Sequence, residues 1–117
     1  MKIAISSAGK TSEDLLDTVF GRCDYFQIHD TESGDIKVIE NKGKIASGGA
    51  GIAASNQLVD EGVDVIITGN LGPNGFEIIE KAEVQAYKCG NIIINSVLLK
   101  YNNGELEQLK MSGPSRH

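Results

Sequence analysis

Two glycine-rich turns carry most of the chemical information in this 117-residue chain: Ser47-Gly48-Gly49-Ala50-Gly51 and Gly69-Asn70-Leu71-Gly72-Pro73-Asn74-Gly75. Each runs into a segment with helical spacing of apolar residues, so each leaves backbone N–H groups without intrahelical partners at a helix N-terminus. The helix dipole adds positive potential there, and anions are favoured. Ser47, Gly48, Gly49, Ala50, Gly51, Gly69, Asn70, Gly72 and Asn74 are the residues expected to cradle such an anion. Neither turn matches GxxxxGK[ST] or GxGxxG, so the fingerprints of mononucleotide and dinucleotide sites are missing. The same glycines have a plainer reading as tight loops that let a helix approach a sheet closely.

The elements that position these turns follow from periodicity. Lys2 to Ile5 reads as a strand that ends in the turn-forming Ser6-Ser7-Ala8-Gly9. Thr11 to Asp14 offers an N-cap with acidic residues behind it, and Leu15, Leu16, Val19 and Phe20 predict one or two helical turns. Tyr25 to Thr31 alternates, with Phe26 and Ile28 on one face and Gln27 and His29 on the other; Ile36 to Asn41 completes a β-hairpin. A polar loop begins at Lys42-Gly43-Lys44. Gly48 to Glu61 predicts a helix that packs through Ile52, Leu58 and Val59 and stops at Gly62. Val63 to Thr68 is a strand apolar enough for cover on both faces. Pro73 opens the next helix, with Phe76, Ile79 and Ala82 facing the core, and Val84 to Tyr87 returns as a strand. From Ile36 onward the alternation of strands and helices implies parallel neighbours joined by right-handed crossovers. Ile92 to Tyr101 fits both a strand and a helix, and Asn91 as N-cap with Gly104 as terminator favours helix. Residues 1–110 form one domain, and 111–117 are expected to be a fraying tail without core residues.

Composition narrows the function classes. With 40% hydrophobic and 23% charged residues the chain is ordinary globular material. A net charge of −5 argues against general binding to nucleic acid, which usually needs a basic face. The apolar runs are far shorter than the about 20 residues that span a bilayer. Two cysteines without a CxxC pair, and no leader segment, point to a reduced cytoplasmic protein.

Four motifs in order carry a resemblance: Phe20-Gly21-Arg22-Cys23-Asp24-Tyr25-Phe26, Glu40-Asn41, Ser47-Gly48-Gly49-Ala50-Gly51-Ile52 and Gly69-Asn70-Leu71-Gly72-Pro73-Asn74-Gly75-Phe76. They resemble the dinitrogenase iron-molybdenum cofactor biosynthesis family, with a match from the first strand to Leu109. The resemblance implies an α/β fold with a ribonuclease H-like motif: a five-stranded mixed sheet in order 3-2-1-4-5, strand 2 antiparallel, with flanking helices. It also makes Ile92 to Tyr101 a helix. Family members with an assigned role bind, carry or help to build metal-sulfur clusters.

That topology brings the Ser6 to Lys10 turn, Gly21 to Asp24, Lys42 to Gly51, Gly69 to Gly75 and Cys89-Gly90-Asn91 to one sheet edge, where open α/β sheets bind ligands. An anionic cluster containing iron, molybdenum or copper suits such an edge, because helix N-terminal amides donate to its sulfides without a basic protein surface. Arg22, Lys10, Lys42 and Lys44 are expected to add positive charge. Cys23 is the expected metal ligand, a soft thiolate whose pKa falls beside Arg22 or a helix N-terminus. Its plainer reading, shared by Cys89, is a small buried hydrophobe. His29 is expected on an exposed strand face, His117 in the fraying terminus, and Asp14, Asp17 and Asp24 as loop or helix-end charges.

Two departures from the family pattern matter. Val19 occupies the position of a histidine in many relatives, and Pro114-Ser115-Arg116-His117 replaces their histidine- and glycine-rich tail. The leading expectation is a non-catalytic carrier of a metal-sulfur cluster, exchanging it with donor and acceptor proteins. A small anion- or nucleotide-binding module without metal is the alternative. A phosphoryl-transfer enzyme on a ribonuclease H-like scaffold would need clustered carboxylates, and Lys2 to Ser6 contains none.

Overall fold

Val65-Ile66-Ile67-Thr68 is buried along its whole length, which puts it inside a sheet with cover on both faces. The computed structural model, which describes residues 1–113, shows how that cover arises. Strand β4 (Val65–Thr68) lies parallel to β1 (Lys2–Ser7), with Ile3 opposite Val65 and Ile5 opposite Ile67. On the far side of β1, β2 (Tyr25–Asp30) and then β3 (Ile36–Glu40) pair antiparallel, forming the expected hairpin. Strand β5 (Gln85–Lys88) is parallel to β4, and β6 (Glu107–Leu109) is antiparallel to β5.

The sheet order is therefore β3-β2-β1-β4-β5-β6. The first five strands have the expected order with β2 antiparallel, and the expectation of five strands is corrected to six. Gly104, with φ at 70°, reverses the chain after the last helix. Leu106 and Leu109 then return to the two cores on opposite faces, and the short segment between them pairs with β5.

The sheet divides the core into two layers. On one face Ala4, Phe26, Ile28 and Ile66 pack with Ala54 and Leu58 of α1 (Ala50–Asp60) and Ile79 of α2 (Pro73–Lys81). On the other, Ile3, Ile5, Val65 and Ile67 pack with Leu16 and with Ile94 and Val97 of α3 (Ile94–Asn102). Alternation along β1 and β4 thus feeds both layers from the same strands. Ile52 and Ala82, expected in the core, are exposed.

The helix expected over Thr11 to Phe20 does not form. Its backbone is committed elsewhere: Leu16 bridges Ser7, Leu15 bridges Ile93, and Leu16 N donates to Ile92 O at 2.9 Å. The Ser6 hydroxyl donates to Asp17 O at 2.6 Å, and Asp14 Oδ2 accepts from Thr11 N and Thr11 Oγ1 at 2.9 Å each. These local and long-range bonds offer the backbone an alternative to a helix. Asn91 is likewise not the cap of α3. Its Nδ2 donates to Leu16 O at 2.7 Å, and the N-cap is Ile93. The helix at 94–102 confirms the choice of helix over strand.

His29 is not exposed as expected, with 8% of its surface accessible. Its Nε2 lies 3.1 Å from Gln27 Oε1, and burial lowers its pKa. Gln27 in turn donates through Nε2 to Ser7 Oγ, Gly9 O and Thr11 O, tying the 8–20 segment to the sheet. Of the expected tail, Gly113 donates its N–H to Leu71 O at 2.9 Å. Pro114 to His117 lie outside the described residues.

The bonds from Thr11 lower the Asp14 pKa below its ordinary value of 3.8. A carboxyl depressed in the folded state adds stability above the unfolded pKa and loses it as pH falls through the folded one. Urea unfolding of the wild type is therefore expected to lose more stability between pH 5 and pH 3 than that of Asp14→Asn. Parallel pH curves would place the stabilisation elsewhere.

Candidate functional site

Helices α1 and α2 lie side by side with their N-termini at the same sheet edge, beyond the C-terminal ends of β1 and β4. They approach closely because Gly75 has no side chain. A Cβ there would lie 2.9 Å from Ser55 Oγ and 3.1 Å from Gly51 O. Ser55 Oγ donates to Gly75 O at 3.2 Å across this contact.

Between the two N-termini is a cleft of about 120 Å³. Val19, Phe20 and Gly21 form one wall; Gly49, Ala50, Gly51 and Ile52 a second; Asn70, Gly72, Pro73, Asn74 and Gly75 a third. The N-caps are Gly49, left-handed at φ 65°, and Gly72, and neither supplies a side-chain cap. The first intrahelical bonds are Ala53 N to Gly49 O and Phe76 N to Gly72 O, each 3.0 Å. The amides of Ala50, Gly51 and Ile52 and those of Asn74 and Gly75 precede these bonds, at the positive ends of two helix dipoles. Pro73 at the start of α2 has no amide to leave unpaired.

The chain matches the dinitrogenase iron-molybdenum cofactor family over residues 1–104. It belongs to that family. An uncharacterized protein from Methanocaldococcus jannaschii is 29% identical over 113 residues, 94% of this chain and 92% of the relative. Among solved structures, the apo form of the orange protein from Desulfovibrio gigas superposes with a TM-score of 0.89 at 25% identity, covering 98% of this chain and 96% of that one. A NifB candidate from Thermotoga superposes with a TM-score of 0.84 at 32% identity, covering 98% of each chain.

Of the residues expected to cradle an anion, Gly49, Ala50, Gly51, Asn70, Gly72 and Asn74 line the cleft. Ser47 and Gly48 are exposed on the approach to α1. Gly69 lies behind the cleft, where a Cβ would meet Thr18 Cβ at 2.4 Å and Thr18 Cα at 2.7 Å. Its lack of a side chain serves packing of the 8–20 segment.

The expected cations are engaged elsewhere. Arg22 Nη1 donates to the carbonyls of Gly43, Lys44 and Ala46 at 3.1, 3.2 and 2.8 Å, closing the 3-10 helix Lys42–Ile45. Lys10 Nζ stands 5.4 Å from the centre of the Tyr25 ring, and Lys44 pairs with Asp24. Lys42 is exposed, outside the cleft lining.

Cys23 departs furthest from expectation. It has no accessible surface, and its Sγ lies within hydrogen-bonding reach of Phe20 O at 3.5 Å and Tyr25 O at 3.3 Å. Burial, reinforced by the charge of Asp17, pushes its thiol up to about 12 rather than down. The thiolate expected beside Arg22 is a protonated core thiol. Cys89, 7% exposed, is also raised by burial. Val19 lines the cleft, so no imidazole stands at that position. Among the described residues no group of three His, Cys, Asp or Glu side chains can hold a metal ion. The cleft therefore offers backbone donors, two asparagines and apolar side chains in place of a ligand set.

Behind the cleft, Gln57 was not singled out from the sequence, and Asn41 was named only as a strand end and within the Glu40-Asn41 motif, with no role. Asn41 Nδ2 donates to Phe20 O, Gly21 O and Cys23 O, and Gln57 of α1 binds Lys42 N and Glu40 O. An Asn followed by a short polar turn is a recognisable Asx signal, but its partners come from a loop 18 to 21 positions earlier.

Two outcomes are expected here. At pH 8 iodoacetamide should leave Cys23 unmodified in the native protein and alkylate it after unfolding, as read by peptide mass mapping; native labelling would refute the buried thiol. Gly69→Ala should lower the unfolding free energy by about 1–3 kcal/mol through overpacking against Thr18, measured by urea titration.

Proposed function

We propose that this protein is a non-catalytic carrier of an anionic metal-sulfur cluster containing iron, molybdenum or copper, held in the cleft between α1 and α2. The observation that carries the reading is the pair of helix N-termini, neither capped by a side chain, facing one cleft. Family membership supplies the cargo class, since the family is named for the dinitrogenase iron-molybdenum cofactor. The description of the orange protein structure as an apo form supports a bound group in that relative.

Sulfides accept hydrogen bonds, and amides at helix N-termini donate them while adding positive potential. A protein with a net charge of −5 can hold an anion this way without a basic surface. Gly69, Ser47 and Gly48 belong to the scaffold and approach of this site, Arg22 supports it through the 3-10 helix, and Lys10 stands over Tyr25. Cys23 would ligate only after a rearrangement that exposes it. The reading includes donor and acceptor proteins as partners and a cytoplasmic setting with reduced thiols. It also keeps the ribonuclease H-like description, with β6 added outside β5. No helix among the described residues is long and apolar enough to cross a membrane.

The plainer reading, a module for small anions without metal, is favoured by one feature: the cleft has no soft ligand of its own. Anaerobic titration with tetrathiomolybdate, alone and with Cu(I) or Fe(II), separates the two. The carrier reading expects saturable uptake with new visible absorption that excess phosphate does not displace. No uptake by folded protein would overturn it, and displacement by phosphate would favour the anion module.

Gly51→Asp supplies a second test. A Cβ at Gly51 meets nothing within 4 Å, so the carboxylate can be accommodated at the cleft. An acidic residue in the first turn of α1 suits the helix dipole, so stability should hold or rise. Like-charge repulsion should weaken uptake about tenfold or more, equivalent to about 1.4 kcal/mol. Unchanged affinity would place the cargo elsewhere.

A further inference from the structure

We infer that Asn41, which does not line the cleft, is the positioning residue that fixes the Phe20-Gly21 wall against the N-terminus of α1. Its importance for cargo rests on the carrier role proposed above; its hold on the wall does not.

Asn41 follows β3 and is 4% exposed. Its Nδ2 lies 3.3, 3.2 and 2.9 Å from the carbonyl oxygens of Phe20, Gly21 and Cys23, and 3.5 Å from Cys23 Sγ. Its Oδ1 accepts from Gly43 N at 2.9 Å. The Gly43 donor requires an oxygen on that side, so the amide has one satisfactory orientation and its NH₂ faces the wall. A single side chain thus joins the wall to the 3-10 helix.

The 3-10 helix passes the constraint on to α1. A Cβ at Gly43 would lie 2.4 Å from Ala50 O and 2.5 Å from Gly21 O, so backbone meets backbone on both sides. A Cβ at Gly21 would lie 2.9 Å from Gly51 N, one of the cleft amides. Arg22 holds the far end of the 3-10 helix through three carbonyls, and Gln57 holds its start, receiving Lys42 N at 2.9 Å and donating to Glu40 O at 2.7 Å.

Asn41 stands at the centre of this knot, because its one amide group bonds both to the wall carbonyls and to the 3-10 helix. Without its donor the wall carbonyls would have to find water or turn, and a carbonyl turned into the cleft presents negative charge to an anion. A binding site of backbone amides depends on such support, since the donors have no rotamers with which to adjust.

Asn41→Asp is the direct test. It keeps the oxygen that accepts from Gly43 and replaces the donor with a carboxylate oxygen facing three carbonyls. Amide hydrogen exchange of the full chain, followed by NMR, should accelerate about tenfold or more at residues 20–24 and 49–52, with β4 and α3 unchanged. The dissociation constant for tetrathiomolybdate should rise about tenfold or more. Leu58→Ala, a core change away from the cleft, lowers global stability and should not reproduce the local pattern.

If Asn41→Asp does not fold, Asn41→Ser makes the same comparison with a smaller loss. Exchange that rises equally in all elements would reduce Asn41 to a general stability residue and overturn the inference. Local exchange that rises with unchanged affinity would overturn its role toward cargo. If wild-type protein takes up no tetrathiomolybdate, the carrier reading fails, and the exchange pattern still decides whether Asn41 holds the wall.

Discussion

The parallel pairing of β1 with β4 is the constraint on which the rest of the structure depends. Both strands are buried on both faces, so Ile3, Ile5, Val65 and Ile67 serve one layer while Ala4 and Ile66 serve the other. Each large aliphatic side chain buried there contributes about 1.5–3 kcal/mol, an upper bound for a chain already partly collapsed when unfolded. The pairing also creates a reversal in strand order. From β1 the chain leaves toward β2 on one side, and it returns to place β4 on the other. The connections at that edge must diverge, and the space between them is the cleft.

Electrostatics at this edge are arranged economically. Arg22 closes a 3-10 helix, Lys44 pairs with Asp24, and Lys10 lies over Tyr25. None of these cations lines the cleft, where positive potential comes from the ends of two helices. Such potential is built from fixed dipoles and does not titrate. Its strength depends on the positions of α1 and α2, hence on the glycine contacts that let them pack together.

The fold was legible where local pattern and tertiary packing agree. The alternation of Phe26 and Ile28 against Gln27 and His29 defined β2, and the run from Val65 to Thr68 showed a strand covered on both sides. Pro73 marked the start of α2, and Gly62 the stop after α1. The 11–20 segment was misread because its helical spacing is real, while its hydrogen bonds go to β1 and to residues 92–94. Residues of both glycine turns line the cleft. The destinations of charged and polar groups were not readable, because they depend on distant partners. Arg22 faces carbonyls 21 to 24 positions away, and Cys23 is enclosed by residues that a linear motif cannot place around it. His29 looked exposed because alternation assigns a face without saying what covers it.

The bond from Gly113 to Leu71 has a practical side. It delivers the chain after β6 to the turn that precedes α2, beside Asn70 in the cleft wall. Gly113 thus stands beside the cleft wall, whereas Met1 enters β1 at the opposite end of the sheet. Affinity tags, fluorophores or immobilisation chemistry are therefore better attached at the N-terminus.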